Sequence, residues 1–377
     1  MALLTRPEQY NIKDSNIALL GSDIEKRVRE HAGDHESAWD GAGVEPGLQI
    51  WRIEQFNVVA WPKDRNGSFY DGDSYIVLNT YKKTPESESL SFDLHFWLGE
   101  HTTQDEAGTA AYKAVELDDH LHGRPVQYRE VQAFESDRFL SYFPRFVCLQ
   151  GGVATGFQHV SDAPPPDVRR LYRITLSPSR TLVVREVPAE GKSLVQGDVF
   201  VLDKGSAVSQ LNTQKSAGIE KFKAAEFVQS LVSERQGQCN VTVYDEGGTG
   251  VGVFLAEFGD DIVSLPQEES ADETTTVPVL YRLSDASGQL TFESVAPPAL
   301  SSLASDDAFL LDDTRHPVHA AVYVWIGKGA SLNERRLAGQ YAQRFLYDHH
   351  GAEQVSVPII RMAEGDETSA FVKALGG

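Results

Sequence analysis

The sequence contains one pattern three times, and this repetition constrains the fold more than any other feature. Each copy opens with an apolar segment that carries an arginine, and the openings read IWRIE at 50–54, LYRIT at 171–175 and LYRLS at 280–284. An aspartate that starts a strand-like run follows the arginine after 21, 25 and 25 residues, and a glutamate in a helical segment completes each copy. Repetition of this kind predicts three structural units of one type.

Two hydrophobic periodicities alternate inside each copy. The segments WRIEQFNVVAW, SYIVLNTY and FDLHFWLG are rich in β-branched and aromatic residues, which is typical of strands. The segments AGTAAYKAVELDDHL and AAEFVQSLVSERQ place apolar residues three and four positions apart, as amphipathic helices do. Strands followed by one long helix, in repeated order, predict an α+β fold in which helices cover a central mixed sheet.

Proline-rich and polar stretches divide the copies. The run 164–166 is Pro-Pro-Pro, and a polar stretch extends from Pro266 to Pro278. We therefore expect an N-terminal extension, three units that we name the first, second and third unit, and a linker before the third. The expected ranges are 1–44 for the extension, 45–162, 167–265 and 279–377 for the units, and 266–278 for the linker.

The charge balance limits the partners of the chain. Thirty-four Lys and Arg against 55 Asp and Glu give a net charge of −21. Proteins that bind nucleic acid gain affinity from basic patches, so we expect neither nucleic acid nor a broad anionic membrane as a main partner. The longest apolar run, Ala320–Ile326, is too short to span a bilayer. Two distant cysteines, Cys148 and Cys239, indicate a reducing, cytoplasmic location.

Motifs of catalysis are incomplete in the sequence. The stretch Gly191-Lys192-Ser193 lacks the earlier glycine of a P-loop, and neither a GxSxG nor an HExxH motif occurs. We therefore expect a binding protein and not an enzyme.

The repeated acids favour calcium as a ligand. Calcium takes six to eight oxygen ligands from carboxylates, backbone carbonyls and water. In each copy an aspartate, the carbonyl of the residue before it and the helical glutamate could supply such oxygens, whereas a single Asp–Glu pair would more simply be a solvated surface. Because three pairs are aligned, we predict three calcium sites, at Gly72, Asp73 and Glu106, at Gly197, Asp198 and Glu220, and at Asp306, Asp307 and Glu334.

The motifs together resemble the gelsolin/villin superfamily, and the three-repeat length resembles its severin/fragmin branch. PGLQIWRIE, GDSYIVL, HFWLG, TQDEAG, ELDDHLHGRPVQYREVQ, ESDRFLSYF and GGVATGF stand in the order and spacing of that family. The resemblance implies three tandem gelsolin-like repeats, each with a central mixed sheet between a long and a short helix. It also implies a monomer that binds actin, severs filaments in a calcium-dependent way and caps their barbed ends.

Further ligands follow from the resemblance alone. The carbonyl of Val153 would complete the site of the first unit, and an acid of the linker would complete that of the second, either Asp272 or Glu268. A separate calcium ion shared with actin would be held by Asp118, Gly123 and Pro125.

Two surfaces are predicted to contact actin. The long helix of the first unit offers Ala111, Tyr112, Val115 and Leu117 at the spacing of a helix that binds in an apolar groove. Arg169, Arg170, Arg173 and Arg180 form a basic cluster at the start of the second unit. By resemblance this cluster binds filament sides and phosphoinositide headgroups, since Arg is suited to phosphate. The alternative hypothesis is a calcium-binding scaffold that keeps the fold and binds actin without severing.

Overall fold

The computed structural model describes residues 36–153, 168–259, 265–266, 277–286, 291–316, 319–354 and 357–376. Residues 1–35, which make up most of the expected extension, and residues 267–276 of the expected linker lie outside this part. Within the described ranges no helix combines the length and apolar character needed to cross a membrane.

The first unit is built from strands and two helices. The tight turn between its first two strands places both Gln55 and Phe56 at positive φ, 48° and 69°. Its long helix begins after Thr103, whose hydroxyl accepts a hydrogen bond from the amide of Glu106 at 3.2 Å. The elements are β1 (Gly47–Glu54), β2 (Asn57–Ala60), β3 (Ser68–Tyr70), β4 (Ser74–Tyr81), β5 (Ser91–Leu98), α1 (Gln104–His120), β6 (Val126–Val131), α2 (Asp137–Leu140) and β7 (Arg145–Leu149).

The second and third units contain the same kinds of element. The second unit consists of β8 (Arg170–Leu176), β9 (Leu182–Val187), β10 (Val199–Asp203), β11 (Ala207–Asn212), α3 (Gly218–Glu234), β12 (Asn240–Asp245) and α4 (Val251–Leu255). The third unit consists of β13 (Val279–Ser284), β14 (Thr291–Val295), β15 (Ala308–Asp313), β16 (Ala321–Ile326), α5 (Leu332–Gln354), β17 (Ile359–Ala363) and α6 (Ser369–Ala374).

The strand order is the same in all three units. It reads β2-β1-β4-β5-β6 in the first, β9-β8-β10-β11-β12 in the second and β14-β13-β15-β16-β17 in the third. The last strand of each set follows the long helix and pairs parallel with its neighbour, whereas the others pair antiparallel. The predicted α+β fold with repeated mixed sheets is confirmed.

In each unit one apolar cluster lies on either face of the sheet, one under a long helix and the other under a short helix. In the first unit, Ala110 and Leu117 of α1 pack on one face, and Phe139 of α2 packs on the other. The same arrangement recurs with α3 and α4 in the second unit and with α5 and α6 in the third. Burial of these apolar faces is the main stabilising contribution.

The units are joined through their sheets. β6 of the first unit pairs antiparallel with β17 of the third, which produces one sheet of ten strands. β7 pairs with β9 of the second unit, and β3 pairs with β7, so a sheet of seven strands joins the first and second units. The first unit therefore contributes strands to both sheets.

The packed part of the first unit begins before residue 45. Trp39 is fully buried in the cluster under α1, and its ring meets that of Trp51 edge to face at 5.1 Å. Lys113 of α1 also binds Glu36, with 2.9 Å between Nζ and Oε2. Trp39 and Ala42, which the sequence analysis grouped with the extension, thus pack in the core of the first unit.

Candidate functional site

Asp73 and Glu106 form the acidic pair of the first unit, near the N-terminal end of α1. Asp73 immediately precedes β4 and is fully buried, and Glu106 in the first turn of α1 is 7% exposed. Burial raises the pKa of Glu106, and the charge of Asp73 raises it further. The two carboxylates are therefore close enough to repel each other.

The returning chain at 151–153 closes this site. The amide of Val153 donates to Oδ1 of Asp73 at 2.8 Å, and the amide of Gly72 donates to the carbonyl of Gly151 at 2.7 Å. Gly152 has φ of 149°, and a Cβ there would lie 2.5 Å from Oδ1 of Asp73. Only a glycine leaves this carboxylate room. Gly72, Asp73 and Val153 are thus held together at the returning chain, and Glu106 lies near enough to Asp73 for the two charges to interact.

Glu106 has an oxygen without a partner. Among the residues that the structure describes, no group donates a hydrogen bond to its buried Oε2. A buried carboxylate oxygen normally has a donor, because its desolvation is otherwise uncompensated. This vacant acceptor beside a second buried acid fits a cation ligand.

The second unit is arranged differently. Asp198 forms an ion pair with Arg173, and its backbone carbonyl accepts from the hydroxyl of Thr213 at 2.6 Å. Gly197 has φ of 109° and donates to the same hydroxyl at 3.1 Å. Glu220 uses Oε2 to accept from the amide of Ala217 at 2.8 Å, a cap on its own helix. Asp272 and Glu268 lie outside the described residues.

In the third unit, Asp307 and Glu334 are both buried and both have partners within the unit. Asp307 is 2% exposed and pairs with Arg282, while the neighbouring Asp306 is exposed. Glu334 is 1% exposed, and its two oxygens accept from the amides of Asp285 at 2.7 Å and Ser331 at 2.8 Å. Both oxygens of this glutamate are therefore already engaged.

The repeated arginines of the sequence pair with the repeated aspartates. Arg52 lies 3.4 Å from Oδ2 of Asp73, and Arg173 and Arg282 bind the equivalent Asp198 and Asp307. Sequence reasoning used these arginines to align the copies but missed their role. The similar Arg-to-Asp spacing of 21, 25 and 25 residues was the signal, because it places each arginine on the strand next to the one that its aspartate precedes.

Asp118, the expected ligand of a shared calcium ion, lies at the boundary with the third unit. It is 7% exposed, and burial raises its pKa to about 6. Nη1 of Arg361, on β17, is 4.0 Å from its Oδ2, and its Oδ1 has no hydrogen-bond partner in the described ranges. Gly123 has φ of 68° and donates to the carbonyl of Asp118 at 2.8 Å, and Pro125 is buried just before β6.

Helix α1 packs on the sheet with one face and is exposed on the other. Tyr112 is 37% exposed, and Ala111 and Val115 are half-buried. Leu117 is fully buried against the sheet, so its predicted role in an actin contact is wrong. Lys113 lies with its ammonium 5.9 Å from the centre of the Tyr112 ring.

The arginine cluster is largely engaged within the chain. Arg169 donates to the carbonyl of Glu257 at 2.7 Å, and Arg170 lies 3.7 Å from a carboxylate oxygen of Glu186. Arg173 binds Asp198. Arg180 is exposed in the turn between β8 and β9, where its φ is 63°. Three of the four side chains therefore already have partners within the second unit.

The carboxylates of the three units can be compared with the oxygen ligands that a calcium ion requires. No three His, Cys, Asp or Glu side chains of the described residues are grouped closely enough to hold a metal by themselves. Each unit supplies two carboxylates, so backbone carbonyls and water must supply the rest, as is usual for this hard cation. The vacant oxygen of Glu106 makes the residues of the first unit fit such an ion.

Comparisons with known proteins extend over most of the chain. A family model described as the gelsolin repeat matches residues 62–140 and 293–372. Gelsolin-like protein 1 of Lumbricus terrestris is 41% identical over 330 residues, 86% of this chain and 87% of the relative. Severin of Echinococcus granulosus is 39% identical over 357 residues, 92% of each chain. The actin depolymerising venom protein gelsolin 1 of Platymeris rhadamanthus is 37% identical over 345 residues, 88% of this chain and 89% of the relative.

Proposed function

Because this chain belongs to the gelsolin/villin superfamily, we propose that it binds actin, severs actin filaments under the control of calcium and caps their barbed ends. The observation that carries the proposal is the extent of the match, which runs through all three units. A relative that matches most of this chain carries actin depolymerisation in its name. Severing separates subunits that are held by non-covalent contacts, so it needs no catalytic residue.

Calcium would be held in the first unit by Asp73 and Glu106 together with carbonyls at Gly72 and Val153. A bound dication would remove the repulsion between the two buried acids and would link the start of α1 to the returning chain at 151–153. The vacant Oε2 of Glu106 supports this assignment, since within the described part of the chain that oxygen has no hydrogen bond to lose. Asp118, Gly123 and Pro125 are our proposal for a second ion, shared with actin.

The actin contact of the first unit would be the outer face of α1. Tyr112 is exposed there, between the half-buried Ala111 and Val115. A helix that presents residues three and four apart can bind in an apolar groove of a partner, and a half-exposed aromatic residue is a frequent anchor. This face would compete for the contacts that hold neighbouring subunits together.

The second unit would bind the filament side and bring the first unit to its target. Arg169, Arg170 and Arg180 are the residues we propose for this contact, and the same surface is the candidate for phosphoinositide headgroups. Arg173 supports the fold instead, since it binds Asp198. Arg169 and Arg170 would have to exchange their present acidic partners for those of the ligand.

The third unit would restrain the first in the calcium-free chain. β17 pairs with β6, and Arg361 lies over Asp118. The pairs Lys83–Asp366 at 2.8 Å and His319–Asp137 at 3.1 Å join the same two units. Calcium would favour an arrangement in which this contact is released.

Filament length tests the proposal. Labelled filaments are imaged with the full chain in calcium and in chelator, and we expect shortening and arrested barbed-end growth only in calcium. Glu106→Gln keeps the size of the side chain and removes its charge, so it should need more calcium for the same shortening. Filaments that bind the protein but keep their length in saturating calcium would favour the scaffold hypothesis.

A further inference from the structure

Each of the three acidic pairs already has a positive charge beside it, that of a repeated arginine. In every unit a guanidinium binds the aspartate that precedes the third strand of the common order. We propose that Arg52, Arg173 and Arg282 are resident counter-cations that compete with calcium for Asp73, Asp198 and Asp307. The three arginine–aspartate ion pairs differ in strength, and this difference sets the order in which the units bind calcium. This inference rests on the proposed calcium regulation and names the residues that set its threshold.

A guanidinium and a calcium ion compete because both need the negative charge of the same carboxylate. Calcium affinity depends on the number of charged ligands that a site can offer. With its arginine bound, the acidic pair of the second or third unit carries one net negative charge, and without the arginine it carries two. An opposite charge in contact with a carboxylate changes its affinity for a proton about 10- to 1,000-fold, and the same attraction acts on a metal ion.

The first unit holds its arginine least firmly against the aspartate. Arg52 lies 3.4 Å from Asp73, while the same guanidinium forms a closer pair with Glu54. Glu54 therefore draws the positive charge away from Asp73. Glu106 offers its vacant Oε2 in addition. The first unit should therefore bind calcium at a lower calcium concentration than the other two.

The third unit holds its arginine most firmly. Arg282 binds Oδ2 of Asp307 with two nitrogens, Nε at 2.8 Å and Nη2 at 2.5 Å. Glu334 is held by two backbone amides as well. Calcium has to displace the forked guanidinium and both amide bonds, so this unit should require the highest concentration. The second unit, in which Arg173 binds Asp198 and Glu220 caps its own helix through one oxygen, should lie between them.

Calorimetric titration of calcium into the full chain tests this order. Arg282→Gln removes the charge and keeps a polar side chain of similar length, and we expect about tenfold tighter binding at the weakest site. Arg282→Lys retains the charge and should stay closer to wild type. Arg315→Gln removes the same charge from an exposed position of the same unit and should change no site. In a Glu334→Gln background the gain from Arg282→Gln should disappear.

A second pair of variants changes the first unit in the opposite direction. Glu54→Gln releases Arg52 toward Asp73, so the tightest site should become about threefold weaker. In an Arg52→Gln background the same Glu54→Gln change should have little effect, because the competing charge is gone. This comparison separates competition by Arg52 from a through-space effect of Glu54.

The outcomes distinguish the inference from the proposed function. Weaker or unchanged calcium binding by a folded Arg282→Gln chain would show that the arginine orients the aspartate or only supports the fold, and would overturn the inference alone. An equal effect of Glu54→Gln with and without Arg52 would do the same, and it does not depend on the stability of the third unit. A wild-type chain that binds no calcium would overturn both the inference and the calcium control on which it rests.

Discussion

Burial of the Asp118 carboxylate has a free-energy cost that depends on pH. Desolvation raises its pKa from 3.8 to about 6, and Arg361 at 4.0 Å compensates only in part. A carboxyl whose folded pKa lies above its unfolded value contributes stability that is complete below pH 4 and is lost as pH rises through about 6. At neutral pH this loss amounts to about 3 kcal/mol.

Replacing Asp118 with Asn should therefore stabilise the calcium-free chain at neutral pH. We expect an increase of up to about 3 kcal/mol in the free energy of unfolding at pH 7.5 and no difference near pH 4. Denaturant unfolding in chelator across this range measures it. Asp64→Asn, at an exposed carboxylate of the same unit, serves as the control and should be neutral throughout. Destabilisation by Asp118→Asn at pH 7.5 would contradict the sign of the cost.

The chemistry of single residues was only partly predictable from the sequence. Repetition identified the aspartates and glutamates, because ligand type and spacing are local properties. The partners of Arg169 and Arg170 were not predictable, since Glu257 and Glu186 reach them only after the second unit has folded. The vacant oxygen of Glu106 likewise depends on what surrounds it in three dimensions.

At the scale of elements, helix α1 packs on the sheet with one face, and its outer face is the one we propose for the actin contact. Tyr112→Ala should weaken the binding of monomeric actin about tenfold or more, as loss of a central aromatic anchor commonly does. Because the side chain is 37% exposed, the melting temperature should change little. Fluorescence titration with labelled actin and a thermal melt measure the two effects. Leu332→Ala, at an exposed apolar position of α5, is the matched control and should bind normally.

Element type was predicted better than element boundaries. The apolar spacing indicated α1 and α3 correctly, because one face of each packs on a sheet. The run WRIEQFNVVAW is instead two strands, β1 and β2, joined by a turn at Gln55 and Phe56. Neither turn residue is a glycine or an asparagine, so the usual signal of a tight hairpin was missing.

At the scale of the whole molecule, the contact between the first and third units should raise the calcium concentration that severing requires. A chain that ends at Gly259 lacks β17 and Arg361, so the β6 edge and Asp118 become free. We expect it to sever filaments at a lower calcium concentration than the full chain, measured by microscopy over a calcium titration. Lys83→Glu in the full chain should lower the requirement slightly, and Asp366→Lys added to it should restore the original value. An unchanged requirement in the shortened chain would mean that the third unit does not restrain the first.

The ten-stranded sheet could not be predicted from the sequence. Local patterns identify strands, but they do not say that β6 pairs with a strand from the other end of the chain. The apolar cluster that contains both Tyr128 and Phe309 has the same origin. Such long-range pairing is decided by the fit of whole surfaces.

The same pairing has a consequence during synthesis. The ribosome completes β6 about 230 residues before it completes the strand that will cover its edge. At about 5 to 20 residues per second this interval lasts roughly 10 to 50 s. During that time the nascent first unit presents an open edge with unpaired amides and carbonyls, which is a template for pairing with other chains. Slow translation of the third unit should therefore reduce the yield of folded protein through aggregation of the nascent chain.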